Sequence, residues 1–349
     1  MVLSAADRIA VGFVAACALS IALHPPSDPK QVLLLILSIS AYVAARGIPG
    51  AMQEHAFVIV TGLIVGAGAI VVAAAIDPDG FKPQIFGFAH GAVQLATLQA
   101  LLVFALVCSR LHLALVALAT ALPLMVFAAA QVRFALALLL VSLMLGALVA
   151  PPGLRRRLVT IAAVAILAVL AGAFARKAAT LENLRLSAET LHLRLAPAVA
   201  QPVQIPGEMS LRLPAPGCPE VNLNNSLDIR KRLYAEAFAL LPSAGLTGIG
   251  LGRFAELSCI TTEVHNSLLH VALEIGWPAG ILLAALIVVV ASSLYPLARR
   301  RSEALFALLA LSFAVLLSCA SGSISQDIFL FLMIGYAAGV ARGDQAAPQ

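Results

Sequence analysis

Residues 261–280 read TTEVHNSLLHVALEIGWPAG, and they join the one long polar region of the chain to an apolar run that continues to about residue 294. His265 and Asn266 stand at this junction, and Glu274 follows further along the run. If residues 261–294 are mostly helical, Glu274 lies about 13 Å beyond His265 along the helix axis. Polar side chains in such a position are costly beside lipid, so the stretch predicts a membrane boundary and a functional site.

The composition indicates an all-α, polytopic integral membrane protein. Of the 349 residues, 61% are hydrophobic and 11% are charged, whereas about a quarter of the residues of a soluble domain are charged. Apolar runs of roughly 17–24 residues recur, which is the length that crosses a bilayer. The first run is followed by Pro25, Pro26 and another apolar run, so we interpret it as a retained span and not as a signal peptide. The basic net charge comes from arginines at span ends, which indicates topology and not nucleic-acid binding.

Ten apolar runs are predicted to cross the membrane within a single membrane domain, residues 1–349. The fifth and sixth runs nearly meet, and residues 131–133 are predicted to form a tight turn between them. The predicted spans are residues 9–24, 31–46, 56–76, 90–108, 112–131, 133–150, 157–175, 266–294, 303–320 and 325–341.

The distribution of arginine predicts the orientation of these spans. When the span ends are assigned alternately to two sides, the short loops of one side carry only Lys30, Lys82 and Arg133. The other side receives Arg8, Arg46, Arg110, Arg155, Arg156, Arg157, Arg299, Arg300, Arg301 and Arg342. Short loops rich in arginine and lysine stay in the cytoplasm. Both termini are therefore predicted to be cytoplasmic, and residues 176–264 are predicted to form a long loop on the outer face.

This outer loop is predicted to contain two helices. Leucines at near-helical spacing in residues 176–200 indicate an amphipathic helix on the membrane surface. A second, short helix is predicted over about residues 229–241, with Ser226 or Asp228 as its cap and Pro242 as its end. Glycines at 245, 248, 250 and 252 then predict a tight turn that returns the chain to the His265 region.

Cys218 and Cys259 both fall in the outer loop, where an oxidising compartment favours a disulfide between them. The other three cysteines fall in spans and are expected to pack as small apolar residues. No cysteine or histidine spacing indicates a metal site, and no cofactor is expected.

His265 is a candidate general base. If Thr262 caps the following helix, the imidazole lies in the first turn, where the helix dipole favours the neutral form, and a neutral imidazole accepts a proton. The same helix end also suits an anion such as phosphate. The alternative interpretation is an interfacial histidine that hydrates the helix end. His270, which would lie deeper, is expected to tolerate glutamine.

Two arginines are candidates for binding phosphate. Arg133 opens a span, and Arg230 opens the short outer helix with Tyr234 one turn further on. The planar guanidinium suits phosphate oxygens better than lysine does. The alternative for Arg133 is a snorkelling position at the outer membrane edge, and the alternative for Arg230 and Arg232 is a solvated helix face. Arg232 is expected to lie away from the face of Arg230.

The sequence leaves two roles open for each of the carboxylates Glu274 and Asp327. Glu274 within a span indicates function by default, but its pairing with Gly276 also suits a structural hydrogen bond between close helices. Asp327 either lines the same cavity or caps the last span.

Four motifs in residues 230–280 together resemble the O-antigen ligase and O-antigen polymerase family. That family has an arginine-led outer helix, a glycine-rich turn, and a His-Asn pair running into a span with Glu-x-Gly. The matching segments here are RKRLYAEAF at 230–238, GIGLGRF at 248–254, HNSLL at 265–269, EIG at 274–276, and Gly280. Elsewhere the chain is similar to the family only in hydropathy and topology.

The resemblance implies a metal-independent glycosyltransferase of the GT-C-like kind in the bacterial inner membrane. The implied donor is a glycan on undecaprenyl diphosphate, and the implied acceptor is lipid A core or a growing glycan on the periplasmic face. By the resemblance, His265 acts on the acceptor hydroxyl, Arg230 and Arg133 bind the diphosphate, and Asn266, Glu274 and Tyr234 support them. Val132 stands where the family usually has a serine before the second arginine.

Two other classes of function compete with this one. A transporter of a lipid or an anionic solute would be favoured by discontinuous helices or inverted repeats, and neither is visible in the sequence. A non-catalytic scaffold of an envelope complex would tolerate the loss of His265. The sequence does not distinguish ligation of O-antigen from polymerisation of O-antigen or exopolysaccharide repeat units.

Overall fold

The computed structural model describes residues 4–26, 28–76, 91–190 and 226–345, and the regular structure of this part of the chain is entirely helical. Two short 3-10 turns lie at Ala51–Gln53 and Ile324–Gln326. The helices are α1 (Ala5–Leu23), α2 (Pro29–Ala45), α3 (His55–Ala74), α4 (Gly91–Cys108), α5 (Leu113–Ala129), α6 (Arg133–Val149), α7 (Pro152–Ala175), α8 (Lys177–Thr190), α9 (Ser226–Ala244), α10 (Arg253–Leu257), α11 (Ser267–Glu274), α12 (Trp277–Ala298), α13 (Ser302–Ser321) and α14 (Ile328–Gln345).

Six of the described helices are long and apolar enough to cross a membrane, namely α1, α3, α4, α7, α12 and α13. Helices α2, α5, α6 and most of α14 are shorter but also apolar. Large apolar side chains lie on the outside of the helix bundle; Ile70, Leu148 and Phe174 are 73%, 74% and 79% exposed. An exposed apolar surface of this kind suits contact with lipid. These are the features of a polytopic membrane protein.

Polar side chains inside the bundle donate hydrogen bonds to backbone carbonyls that have no partner within their own helix. Pro123 has no N–H, so the Ala119 carbonyl one turn earlier in α5 lacks its helical partner. The Gln99 amide of α4, which is fully buried, donates to this carbonyl at 3.2 Å. Arg157 of α7 donates to the carbonyls of Leu106, Ser109 and Leu111 at 3.0, 2.7 and 2.7 Å. Arg157, which the sequence marks only as a topology signal, therefore also caps the end of α4.

The span predicted over residues 266–294 is two helices and not one. The chain leaves helical geometry at Gly276, which has φ 115° and ψ 162°. A methyl group added at Gly280 would lie 2.9 Å from the Cβ of Ala272, although residues eight apart in one helix are separated by about 12 Å. Helix α11 therefore folds back against the start of α12. The prediction of one continuous helix through this stretch is therefore wrong.

The segments around the candidate site partly match their prediction. Helix α9 extends from Ser226 to Ala244, so it is longer than the predicted 229–241 and passes Pro242. Pro242 lies in the last turn of α9, so the helix ends two residues after it and not before it. Helix α8 covers residues 177–190 of the predicted surface helix, and residues 191–200 lie outside the described residues. The turn at 131–133 is present, with Gln131 in the left-handed region at φ 61°.

Residues 226–273 have a small core of their own, separate from that of the membrane helices. We call it the α9 cluster, and its buried members are Leu233, Ala237, Ala244, Phe254, Val264 and Leu273. The cluster joins α9 to α10, α11 and the segment 258–266. It thereby fixes α9 beside His265.

Candidate functional site

The structure brings Arg230 and Arg133 together at one place. Arg133 opens α6, and Phe134 follows it. The guanidinium carbon of Arg230 lies 3.8 Å from the centre of the Phe134 ring, a cation–π contact. The charge of Arg133 acts on Arg230 strongly enough to contribute to its pKa. Two positions 97 residues apart in the sequence therefore form one positively charged site.

Arg230 is half-buried, and part of its guanidinium lacks hydrogen-bond acceptors among the described residues. Its Nε and one terminal nitrogen, NH1, are shielded from solvent and have no hydrogen-bond partner in the described part of the chain. Burial lowers the pKa of the Arg230 guanidinium; the nearby Tyr234 opposes that shift and the Arg133 charge adds to it. A buried donor without a partner costs about 1–3 kcal/mol, and more when it is charged. An anion with several oxygens would supply the missing acceptors.

Tyr234 links Arg230 to the segment that carries His265. It lies one turn after Arg230 in α9. Its hydroxyl is 3.1 Å from the carbonyl of His265 and 3.0 Å from that of Cys319, so its single proton is shared between two acceptors. Burial raises the pKa of Tyr234, and a side-chain hydrogen bond with Asn266 acts in the opposite direction. Tyr234 thus ties α9 to residues 265–266 and to the end of α13.

His265 lies just outside α11 and not in its first turn. Asn266 is the N-cap, and its side-chain oxygen accepts from the Leu269 amide at 3.1 Å. The prediction that Thr262 caps this helix is therefore wrong, which agrees with the stronger preference for asparagine over threonine at this position. His265 is half-buried. Its backbone carbonyl accepts from the Tyr234 hydroxyl, directly before the Asn266 cap.

The sequence leaves a functional and a structural role open for Glu274, and the structure supports the structural role. It is fully buried, and it accepts from the amides of Gly252 at 2.7 Å and Phe254 at 2.8 Å. These two amides lie at the start of α10, whose N-cap residue Gly252 has no side chain to cap the helix. Glu274 therefore caps α10 from a distance and holds the glycine-rich turn in place. It supports the site and does not line it.

The two glycine motifs pack backbone against backbone. Gly250 donates its amide to the Glu274 carbonyl at 3.0 Å, and Ile249 donates to that of Leu273 at 3.0 Å. A Cβ at Gly248 would lie 2.1 Å from the Glu274 carbonyl oxygen, and one at Gly276 would lie 2.4 Å from that of Leu246. The glycine-rich turn and the Glu-x-Gly motif occur together because neither admits a side chain where they meet.

Gly248→Ala is accordingly expected to destabilise the protein by on the order of 3 kcal/mol, from a left-handed φ of 73° and the backbone overlap. Thermal unfolding of the purified protein in detergent measures the effect. The matched control is Gly66→Ala, where no heavy atom lies within 4 Å of the added methyl. Equal unfolding temperatures for the two variants would contradict the close packing of the motifs.

His270 and Asp327 also stabilise the region around α11. The Nδ1 of His270 accepts from the Ile324 amide at 3.4 Å, and its Nε2 lies 2.7 Å from Glu274, although without the alignment of a straight hydrogen bond. His270 is fully buried, so we no longer expect it to tolerate glutamine. The four-residue spacing of His270 and Glu274 could have indicated this contact. Asp327 caps α14 through the Leu330 amide at 3.2 Å.

Cys259 is disulfide-bonded, and Cys17, Cys108 and Cys319 are free. Cys218, the partner that the sequence predicts, lies outside the described residues. By the chain-entropy model a bridge between Cys218 and Cys259 contributes roughly 4 kcal/mol. We expect thiol labelling of isolated membranes to increase at both cysteines after reduction. Equal labelling before and after reduction would exclude the bridge.

Among the described residues, no group of three or more histidine, cysteine, aspartate or glutamate side chains is placed to bind a metal ion. No family model and no curated protein sequence matches this chain.

Proposed function

We propose that this protein is a glycosyltransferase that moves a glycan from undecaprenyl diphosphate to an acceptor hydroxyl, in the manner of the O-antigen ligases and polymerases that it resembles. The observation that carries the proposal is the half-buried Arg230, which lies beside a second arginine and has two enclosed nitrogens without a partner among the described residues. A lipid diphosphate is an anion with several oxygens held at the membrane surface, and guanidinium groups bind such oxygens in pairs.

The proposed reaction uses the two parts of the site differently. The acceptor oxygen forms a bond to the anomeric carbon of the donor sugar, and its proton passes to the His265 imidazole. The bond from that carbon to the phosphate oxygen breaks, and its electron pair leaves with the diphosphate. Negative charge grows on the leaving group, so the fixed cations of Arg230 and Arg133 stabilise the transition state more than the ground state.

The proposal includes a topology in which all ten apolar segments cross the inner membrane. Both termini are cytoplasmic, and residues 176–264 lie in the periplasm. Residues 266–294 then enter from the periplasmic side as α11 and α12, with the chain reversal near that surface. The arginine distribution supports this orientation because the arginine-rich loops all fall on the other side.

A reporter that is active only in the cytoplasm is expected to be silent when it is fused after Gly217. The same reporter fused after Arg342, in the last turn of α14, is the positive control. Activity after Gly217 would invert the orientation and place Arg230 and His265 on the cytoplasmic face, where the proposed donor does not present its glycan.

One observation favours a second candidate, a transporter of a lipid or anionic solute. The break between α11 and α12 is a discontinuous helix, which is common at transporter binding sites. Here the break is filled, since the amide of Trp277 donates to the Gly245 carbonyl at 3.1 Å and Gly248 packs on Glu274. Because backbone groups of the glycine-rich turn occupy the break, it suits a structural role better than the binding of a transported ion or solute.

The glycan profile of a deletion strain tests these functions together. A ligase predicts loss of polymer from its lipid anchor, and a polymerase predicts single repeat units on the anchor. A transporter predicts instead that lipid-linked glycan accumulates on the cytoplasmic side. An unchanged profile would leave only the scaffold function and would exclude the proposed transfer.

A further inference from the structure

The geometry points to Glu236 as a positioning residue for His265, an inference that rests on the proposed transfer for its catalytic part. Glu236 lies on α9, six residues after Arg230. Its side chain is 13% exposed. One carboxylate oxygen accepts from the Arg232 Nε at 2.6 Å, and the other accepts from the Ser258 hydroxyl at 2.8 Å and the Cys259 amide at 3.3 Å.

These contacts attach the start of the segment 258–265 to the helix that carries Arg230. The same helix holds the end of the segment, where the Tyr234 hydroxyl donates to the His265 carbonyl at 3.1 Å. Between these points Val264 is buried in the α9 cluster. Arg230 and the backbone of His265 are therefore attached to one rigid element. The separation between the proposed diphosphate site and the proposed base depends on both attachments.

The segment needs to be held because part of its backbone is strained. Thr261 has φ 53°, a left-handed conformation that is unusual for a β-branched residue. Its amide donates to the Ser258 carbonyl at 3.1 Å, and Ser258 in turn donates its hydroxyl to Glu236. The strained turn is thus anchored on the carboxylate. Without Glu236, Thr261 is free to relax, and the path of the chain towards His265 changes.

The simplest competing explanation is that Glu236 only pairs with Arg232 on the helix surface. Such i,i+4 pairs contribute little to stability. The two explanations differ in what Arg232→Ala does. If only the pair matters, Arg232→Ala and Glu236→Gln have the same effect. If Glu236 positions the segment, Arg232→Ala loses the 3.6 Å contact of Arg232 with the Cys259 Sγ but keeps the bonds of Glu236 to the Ser258 hydroxyl and the Cys259 amide, and it remains close to wild type.

The test combines amide hydrogen exchange with kinetics on the full-length protein in detergent or nanodiscs. In Glu236→Gln the amides of residues 259–266 are expected to exchange at least about tenfold faster, while those of residues 230–236 stay unchanged. Arg232→Ala and the exposed control Glu182→Gln are expected to exchange as wild type. Glu236→Asp retains the charge on a shorter side chain, so its exchange rates are expected to lie between those of wild type and Glu236→Gln. This variant remains informative if Glu236→Gln does not fold.

With undecaprenyl-diphosphate-linked glycan as donor, kcat of Glu236→Gln is expected to fall about 10–100-fold with little change in the KM for the donor. Adding Thr261→Asn to Glu236→Gln is expected to restore part of kcat, because asparagine adopts the left-handed conformation more readily. Wild-type exchange in residues 259–266 of Glu236→Gln, or an unchanged kcat, would overturn the inference. A wild-type protein that transfers nothing overturns the proposed function instead, and the exchange result still decides whether Glu236 holds the segment.

Discussion

Replacing His265 with alanine is expected to lower glycan transfer by about 10²–10⁴-fold, the usual contribution of a general base. The variant is expected to insert in the membrane and to bind the lipid-linked donor as wild type does. His265 directly precedes the Asn266 cap, and its backbone carbonyl accepts a hydrogen bond from the Tyr234 hydroxyl. Loss of the imidazole therefore leaves those two contacts in place.

Glutamine is the sharper substitution at this position. It can form hydrogen bonds but cannot take a proton, so His265→Gln is expected to be as impaired as His265→Ala. His55→Gln, at the exposed start of α3, is the matched control and is expected to retain full transfer. Near-normal transfer by His265→Gln would leave His265 as an orienting group, and another residue would have to act as the base.

Replacing Arg230 is expected to have the second large effect, this time on donor binding. Arg230→Lys keeps the charge but loses the planar fork and the stacking on Phe134. Each charge-assisted bond is worth about 1.5–3 kcal/mol, so we expect donor affinity and transfer to fall by about 10²-fold. Arg185→Lys, which changes an arginine paired with Glu182 on the exposed face of α8, is the control.

Arg230→Met separates the binding role from a structural one. Two enclosed nitrogens of the Arg230 guanidinium have no partner in the described part of the chain, so an apolar residue of similar length is expected to leave the unfolding temperature equal or higher. A ligand at 100 times its Kd stabilises the folded state by about 2.7 kcal/mol. Undecaprenyl diphosphate is therefore expected to raise the unfolding temperature of wild type but not of Arg230→Met. Destabilisation by Arg230→Met without loss of that response would show a structural arginine.

The parts of the site that could be predicted from sequence are those set by charge and by residue type. Arginine distribution assigns Arg133 and Arg230 to one face, and the structure brings these two residues together. The alternative of a structural hydrogen bond for Glu274 also followed from its pairing with Gly276. In each case a local chemical cost, a charge or a carboxylate near lipid, restricts where the residue can lie.

The chain reversal at Gly276 was missed because hydropathy is continuous through it. Residues 266–294 are apolar throughout, and hydropathy does not register a backbone angle. The local signals were present: a glycine at 276 suits the end of one helix, and Pro278 suits the first turn of the next. Asn266 was likewise a better cap than Thr262. Where a helix end and a helix start adjoin, these signals outweigh hydropathy.

Contacts over long sequence separations were beyond sequence reasoning. The stacking of Arg230 on Phe134 and the attachment of residues 258–259 to Glu236 depend on how α9 packs. No periodicity or spacing encodes them. The enclosure of two Arg230 nitrogens without a hydrogen-bond partner among the described residues is equally a property of the folded chain, and it is the feature on which the proposed function depends most.

Reconstituted transfer is the most direct test of the central claim, that Arg230 and His265 act on a lipid diphosphate and an acceptor hydroxyl. Purified protein in proteoliposomes is given radiolabelled undecaprenyl-diphosphate-linked glycan and an acceptor, with a chelator present throughout. Lipid A core and a second donor glycan are tried as acceptors in parallel. We expect wild type to form the transferred product, Arg230→Met to neither bind donor nor form product, and His265→Gln to bind donor without forming product. Product formation at the wild-type rate by both variants would contradict the account, as would a wild-type protein that moves the donor across the bilayer and transfers nothing.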